Sequence, residues 1–376
     1  MSGAEPTGEN DSARDDPTGS ETAADAERAE LPPLIIRENL ERYLAEHLPA
    51  DEVKVQLERI GEGHSNITYL VTRGEDRCVL RRPPRPPIPP SANDVLREWR
   101  LLDAVENAEV RTPRTLLSCD DESVIGAPFY VMEYVEGTVV TNAIPPSLDT
   151  VEERRRMGYD LIDALAEIHA IDWRACGLEG YGKPTGYLER QLRRFTGLWE
   201  HNKTRELPRV QEVGDWLAAN LPPSPPATIV HGDFRLGNTM VANDAPARII
   251  AIFDWELSTI GDPLADLGYM TVSWVEPGDP EDTMYSSLTA VTRREGFPTR
   301  AEMIAYYEER TGRSMSDLRW YQALAIWKAA VFMEGNYKRS IAGMSDDPFL
   351  KLFDEGVPKL AEAAYEVIYS GRSTRP

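Results

Sequence analysis

The residues with the most chemical content stand in one run, His231-Gly232-Asp233-Phe234-Arg235-Leu236-Gly237-Asn238, followed downstream by Ile252-Phe253-Asp254. The form is H-x-D-x-x-x-x-N, then an apolar stretch ending in aspartate. A carboxylate such as Asp233 can orient a hydroxyl and take its proton. The Asn238 amide oxygen and the Asp254 carboxylate are hard donors of the kind magnesium prefers. A base beside two metal ligands is what phosphoryl transfer asks of a protein. His-Gly-Asp by itself reads equally well as a strand running into a Gly-Asp turn; the correctly spaced Asn238 and the second aspartate narrow that choice. His231 reads as structural, bonded to loop backbone, rather than as a base or metal ligand. His169, late in a helix on its apolar side, reads as a core histidine with its hydrogen bonds met.

These residues need elements to hold them. Thr228–Val230, Thr239–Ala242 and Arg248–Phe253 read as short strands, with an Asn243-Asp244-Ala245-Pro246 turn between the last two. Asn238 and Asp254 then come from adjacent strands. In Gly261-Asp262-Pro263-Leu264-Ala265-Asp266, Asp262 suits an N-cap and Pro263 the first helical position. Helices are expected over about 151–170, 185–202, 209–221, 263–275, 300–311, 317–341 and 348–370.

The N-terminal part differs. Residues 1–30 have the composition of a disordered acidic tail. A helix is expected over 33–47. Val53, Val55 and Leu57 alternate as in a strand, as do Thr68, Leu70 and Thr72 against Tyr69 and Val71, and Val79-Leu80 forms a third. Gly61-Glu62-Gly63-His64-Ser65-Asn66 lies between the first two. It reads as a plain hairpin, or as a turn whose amides and Ser65 hydroxyl drape over phosphates. Six prolines in the eight residues 83–90 forbid helix and sheet interior. Ser91 or Asn93 can cap the next helix, which runs to Val105 with Val95, Glu98, Trp99 and Leu102 on one face. Phe129–Val135 is an apolar strand ended by Gly137.

The 376 residues carry a net charge of -22, which opposes a nucleic-acid partner. No apolar run reaches the length of a membrane span, so no membrane partner is expected. The N-terminus is acidic, unlike a secretory signal. Three scattered cysteines form neither a disulfide framework nor a metal motif, which favours a reduced, cytoplasmic setting. Seven lysines among 41 basic residues suit either a high-salt habitat or a high-GC genome. Nothing in the sequence fixes the oligomeric state.

The catalytic run, with glycine at its second position, resembles the aminoglycoside phosphotransferase and choline kinase family over about residues 50–340. The stretches Val79-Leu80-Arg81-Arg82-Pro83-Pro84, Arg97-Glu98-Trp99-Arg100 and Phe253-Asp254-Trp255-Glu256-Leu257-Ser258-Thr259 most resemble the kinase domain fused to some acyl-CoA dehydrogenases. The resemblance implies an α+β, protein-kinase-like fold. Its small β-rich lobe (31–135) would bind ATP, and its mainly helical lobe (136–376) would carry catalysis and substrate.

It further implies Asp233 as base and Asn238 and Asp254 as Mg2+ ligands. Asp266 would brace the catalytic loop beside His231. Gly61, Gly63, Ser65 and Asn66 would lie over the nucleotide. Arg81, paired with Glu98, stands where such folds usually place lysine. The backbone of Glu133 and Val135 would meet adenine. The acceptor implied is a hydroxyl compound, a hydroxyacyl group or its CoA thioester ahead of an aminoglycoside, choline or a sugar. Arg82 and Arg85 would then meet the CoA phosphates. Trp274, Tyr285, Trp327, Glu334 and Tyr337 are acceptor-site candidates, although aromatics at helical spacing also read as core. A nucleotide-binding pseudokinase, an adaptor, and a metal-dependent hydrolase using His231, Asp233 and Asp254 remain as alternatives.

Overall fold

The computed structural model describes residues 34–50, 52–61, 66–86, 93–280, 289–344 and 348–369. The expected tail, Gly63, Ser65, Ser91, Tyr285 and the end of the proline-rich segment lie outside the described residues.

A five-stranded antiparallel sheet forms the small lobe. Its strands are β1 (Gln56–Ile60), β2 (Ile67–Arg73), β3 (Asp76–Arg82), β4 (Thr115–Cys119) and β5 (Phe129–Glu133), in the order β1-β2-β3-β5-β4. Side chains alternate across a strand, and the two faces of this sheet pack differently. Cys78, Leu80, Phe129 and Val131 meet Leu40 and Leu44 of α1 (Arg37–His47). Val79, Tyr130 and Met132 join the core shared with α2 (Val95–Val105) and the helical lobe. Arg81 has the phase of Val79, and that phase carries it into the cleft.

Three expectations shift here. The first strand begins at Gln56 and not near Val53, because α1 captures Val55. Glu41 accepts from the Val55 N–H at 3.0 Å and Arg37 donates to its carbonyl at 3.1 Å. The cap of α2 is Asp94, which accepts from Arg97 N at 3.0 Å; Asn93 precedes it with φ 58°. Strand β4 is unforeseen, since only its end residue Cys119 is buried and no alternation marks it.

The helical lobe comprises α4 (Val151–Ala170), α5 (Tyr187–Asn202), α6 (Pro208–Ala219), α7 (Leu264–Ser273), α8 (Arg300–Thr311), α9 (Leu318–Ile341) and α10 (Phe353–Tyr369); a short α3 (Glu122–Ile125) belongs to the small lobe. Between α6 and α7 lie β6 (Thr228–Val230), β7 (Thr239–Val241), β8 (Ile249–Ile252) and β9 (Thr259–Gly261). These four make two ribbons, β6 with β9 and β7 with β8. Phe253 N donates to Asn238 O at 2.9 Å, so at the end of the second ribbon Asn238 lies opposite Phe253, and Asp254 follows directly. Among the described residues no helix is long and apolar enough to cross a membrane.

Candidate active site

The loop after β6 is held from below. Asp266, fully buried in the first turn of α7, accepts from the backbone N–H of His231 and of Gly232, each at 2.7 Å. Gly232 has φ 91°, and a Cβ there would meet the Leu257 carbonyl oxygen at 2.9 Å, so only glycine fits this turn. His169 completes the buried cluster. Burial pushes its pKa down against the pull of Asp266, which keeps the ring neutral. Its Nε2–H lies 3.2 Å from Asp266, and Nδ1 accepts from the Tyr307 hydroxyl at 2.7 Å.

Both nitrogens of His231 are also engaged. Nε2 donates to the Phe253 carbonyl at 2.8 Å, and Nδ1 accepts from Asp233 N at 3.2 Å. Its ring packs on Trp255, 4.6 Å between centroids. A histidine tied on both sides is not a metal ligand, and the hydrolase alternative loses its proposed third ligand.

Asp233 sits at the top of this loop. Its Oδ2 and its carbonyl both accept from the Asn238 amide, each at 2.8 Å, and Arg235 Nε stands 3.7 Å from Oδ1. Both Asn238 protons are thus spent on Asp233, and the amide oxygen carries no hydrogen bond from the described residues. Asp254 follows β8 in a left-handed conformation, φ 65° and ψ 55°, uncommon for a residue with a side chain. These oxygens suit a hard cation. Among the described residues no group of three or more His, Cys, Asp or Glu could hold a metal. Magnesium here would therefore rest on two protein oxygens and on substrate phosphates, its ordinary habit.

The small lobe delivers Arg81. Its guanidinium donates to Asp254 Oδ1 at 2.6 Å, and its Nε lies 3.2 Å from Glu98 Oε2 without hydrogen-bond alignment. Glu98 is buried on α2, and its other oxygen accepts from Trp255 N at 3.2 Å. Burial raises the Glu98 pKa, with Asp254 and Glu256 adding to it and Arg81 opposing. Burial opposes the Arg81 charge, yet Glu98, Tyr130 and Asp254 overcome it. Of the two, the guanidinium is the fixed charge, because it does not deprotonate in proteins.

Asn66 donates to Glu256 Oε2 at 3.1 Å, and Glu256 is also 3.8 Å from Arg81. Sequence reasoning gave Glu256 no role; the signal was there, two positions after Asp254 in Asp-Trp-Glu.

Other expected residues fall elsewhere. Gly61 closes β1 with φ 76° and nothing near its Cβ position. Glu133 is withdrawn from a nucleotide role through its N–H, which donates to the Arg114 carbonyl at 2.9 Å while its carboxylate braces Arg114 N. Val135 lies past the sheet, partly buried. Arg82 is buried and spends its guanidinium on the carbonyls of Leu34, Pro83 and Ile125, so it cannot receive phosphates of a ligand. Trp274 and Trp327 are core residues whose indoles donate to Pro298 and Val210 carbonyls. Glu334 is fully buried against Thr204 and Arg205, and Tyr337 stacks on Arg205. Trp274, Trp327 and Glu334 are buried and have no surface to offer an acceptor. A hollow of about 560 Å³ lined by Arg155, Tyr159, Asp163 and Arg248 lies away from the site.

Comparison with known proteins agrees with this geometry. The sequence profile of the Phosphotransferase enzyme family (APH) matches residues 56–303. Acyl-CoA dehydrogenase family member 11 of Gallus gallus is 34% identical over 336 residues, covering 88% of this chain and 43% of that protein. The chain thus spans about two-fifths of the length of that relative. A crystal structure of a candidate aminoglycoside phosphotransferase from Ralstonia eutropha superposes with a TM-score of 0.74 at 31% identity, covering 88% of this chain and 97% of the other. The GDP complex of aminoglycoside 2'-phosphotransferase-IIIa shares the fold, with a TM-score of 0.57 at 15% identity over 88% of this chain and 98% of the other. With its two-lobe fold, its braced H-x-D-x-x-x-x-N loop and a family match over most of its length, the chain belongs to the APH family of kinase-like phosphotransferases.

Proposed function

We propose that the chain transfers the terminal phosphoryl group of ATP to a hydroxyl of a small molecule. The observation that carries this reading is the junction of Asp233, Asn238 and Asp254 with Arg81 in one cleft between the lobes. The Asn238 amide fixes the Asp233 carboxylate, whose Oδ1 side remains open to an acceptor hydroxyl apart from Arg235 at 3.7 Å. Asp233 orients that hydroxyl and takes its proton as the oxygen attacks phosphorus. Asn238 Oδ1 and Asp254 would hold magnesium, which when bound neutralises phosphate charge. Arg81 keeps a fixed positive charge facing the same space. The GDP-bound neighbour supports nucleotide use by this fold.

For the acceptor, the reading is a hydroxyacyl compound or its CoA thioester. It rests on the likeness to the acyl-CoA dehydrogenase family members; of the two arginines expected at the CoA phosphates, Arg82 is buried and offers no contact, and Arg85 is partly buried. Cys78, Cys119 and Cys176 are free thiols, in keeping with a reducing, cytoplasmic setting.

The test is magnesium-dependent transfer from ATP to 4-hydroxyacyl-CoA, kanamycin and choline. Transfer to the thioester in preference to the amines is expected. A clear preference for an amine would overturn the acceptor and leave the kinase; no transfer to any hydroxyl compound would overturn both.

A further inference from the structure

Arg235 stands two residues after Asp233, and the chain there decides where it goes. Its backbone is extended, φ −159° and ψ 162°, so neighbouring side chains leave on opposite sides. Phe234 and Leu236 enter the core, and Arg235 goes the other way, beside the base. Its Nε lies 3.7 Å from Asp233 Oδ1, while the Asn238 amide holds the other oxygen, Oδ2, at 2.8 Å. The base is thus flanked, with the proposed magnesium ligand at one oxygen and Arg235 at the other. The Arg235 side chain is 18% exposed, yet among the described residues its guanidinium makes no hydrogen bond. None of its nitrogens is sealed from solvent, so what meets them is water or a ligand. Room is kept for this group. Gly237 does not have the positive φ of Gly232, so its backbone does not call for glycine. A Cβ there would collide with Arg235 Nη1 and crowd Thr141 Cγ2 at 3.2 Å.

A guanidinium keeps its charge and presents a planar fork of donors that matches a carboxylate. Donors in so enclosed a place are ordinarily hydrogen-bonded, and these stand beside the oxygen open to an acceptor hydroxyl. We propose that Arg235 is the specificity-determining residue of the site and binds a carboxylate that the phosphoryl acceptor carries close to its reacting hydroxyl. The inference rests on the kinase reading, with Asp233 as base, and names the acceptor's class: a free hydroxy acid. The 3.7 Å gap is too long for a hydrogen bond, so the acceptor breaks none in arriving. That gap and a hydrogen bond of about 2.8 Å at each end keep carboxylate and hydroxyl within roughly 10 Å of one another. A short hydroxy acid fits this span. The phosphates of a CoA thioester, at the far end of the pantetheine arm, do not, and the thioester carbonyl carries no charge. A cationic acceptor would meet like charge, so the same arginine selects against amines.

The test compares kcat/KM for transfer from ATP to 4-hydroxypentanoate and to its neutral isostere 4-hydroxypentanamide, with 4-hydroxypentanoyl-CoA and choline as further acceptors. Wild type should favour 4-hydroxypentanoate over all three. Arg235→Gln should lower the acid-to-amide ratio by about 10- to 100-fold, the loss of a hydrogen bond to a charged group, chiefly through KM for the acid. A general slowing from disturbing the base cancels in this ratio. Arg235→Lys keeps the charge and should retain most of the preference. Gly237→Ala, which pushes the guanidinium aside, should move the ratio in the same direction by less, with calorimetry of magnesium–ATP showing that the loop still holds nucleotide. Equal losses on acid and amide would give Arg235 to the transferred phosphoryl group or to the base and overturn the proposal. So would a wild type that prefers the amide, the thioester or choline. No transfer to any acceptor would sink the kinase reading. Calorimetric binding of 4-hydroxypentanoate that weakens in Arg235→Gln would then leave the carboxylate site standing, and binding indifferent to Arg235 would sink both.

Discussion

Replacing Asp266 by asparagine tests whether the loop geometry depends on one buried carboxylate. Three donors converge on it: His231 N on Oδ2 at 2.7 Å, Gly232 N on Oδ1 at 2.7 Å, and His169 Nε2 near Oδ2 at 3.2 Å. Asparagine offers one accepting oxygen. Its better orientation keeps the oxygen at the Oδ2 position and turns the NH2 group toward the Gly232 N–H. One charge-assisted hydrogen bond is lost and a buried donor is left facing a donor, which together cost about 3 kcal/mol. Gly232 cannot shift freely, because Leu257 packs against it. The strain should pass to Asp233, the next residue, and misplacement of a base by about 1 Å slows chemistry on the order of 100-fold. Asp266→Asn should therefore lower the denaturation free energy by about 3 kcal/mol and kcat by about 100-fold, with nucleotide affinity near wild type. Urea unfolding, steady-state transfer and nucleotide titration read the three quantities. A stability loss under about 0.5 kcal/mol with unchanged kcat would refute the brace.

Three more outcomes are expected. Asp233→Asn should cut transfer by about 100- to 10,000-fold and leave nucleotide binding intact; activity within a few-fold of wild type would remove Asp233 as base. Asp254→Ala should weaken binding of magnesium–ATP by at least the roughly 10-fold that loss of even an outer metal partner costs, and spare nucleotide binding without metal. Calorimetry with and without magnesium separates the two, and equal affinities would take Asp254 out of the metal site. Arg81→Ala and Glu98→Ala should be non-additive in kcat/KM by about 0.5–3 kcal/mol; strict additivity would mean that the 3.2 Å pair does not act as a unit.

What was legible in the sequence followed from local rules. The His231–Asn238 run and Asp254 were readable because loop chemistry needs fixed residue types at fixed spacing. The helix over 151–170 coincides with its expected range, because apolar periodicity marks it; the structure adds Thr150 as its cap. What was not legible depended on partners distant in sequence. Val55 looks like a strand residue until α1 takes both its backbone groups. β9 exists because Thr259–Gly261 finds β6, some thirty residues earlier, and nothing in Thr-Ile-Gly announces it. Arg82 looks like an exposed companion of Arg81, yet strand alternation sends the two to opposite faces of the sheet. One reaches the cleft and the other becomes a buried bridge between carbonyls.

The arginine at position 81 departs from the lysine expected in this fold, and the cleft supplies a reason. Three groups of the small lobe converge on one tripeptide of the other: Arg81 on Asp254, Glu98 on the Trp255 N–H, and Asn66 on Glu256. Asp254 reaches its partner from a left-handed turn directly after β8. Arg81 must then serve two carboxylates at once, Glu98 through Nε and Asp254 through a terminal nitrogen. A planar guanidinium presents separate donors in fixed directions, whereas an ammonium is a single point of charge. With Glu98 buried and Asp254 on the far wall of the cleft, a fork spans what a point would have to choose between. The arginine therefore does more than bring a positive charge into the cleft: through Glu98 and Asp254 it ties α2 to the turn that follows β8.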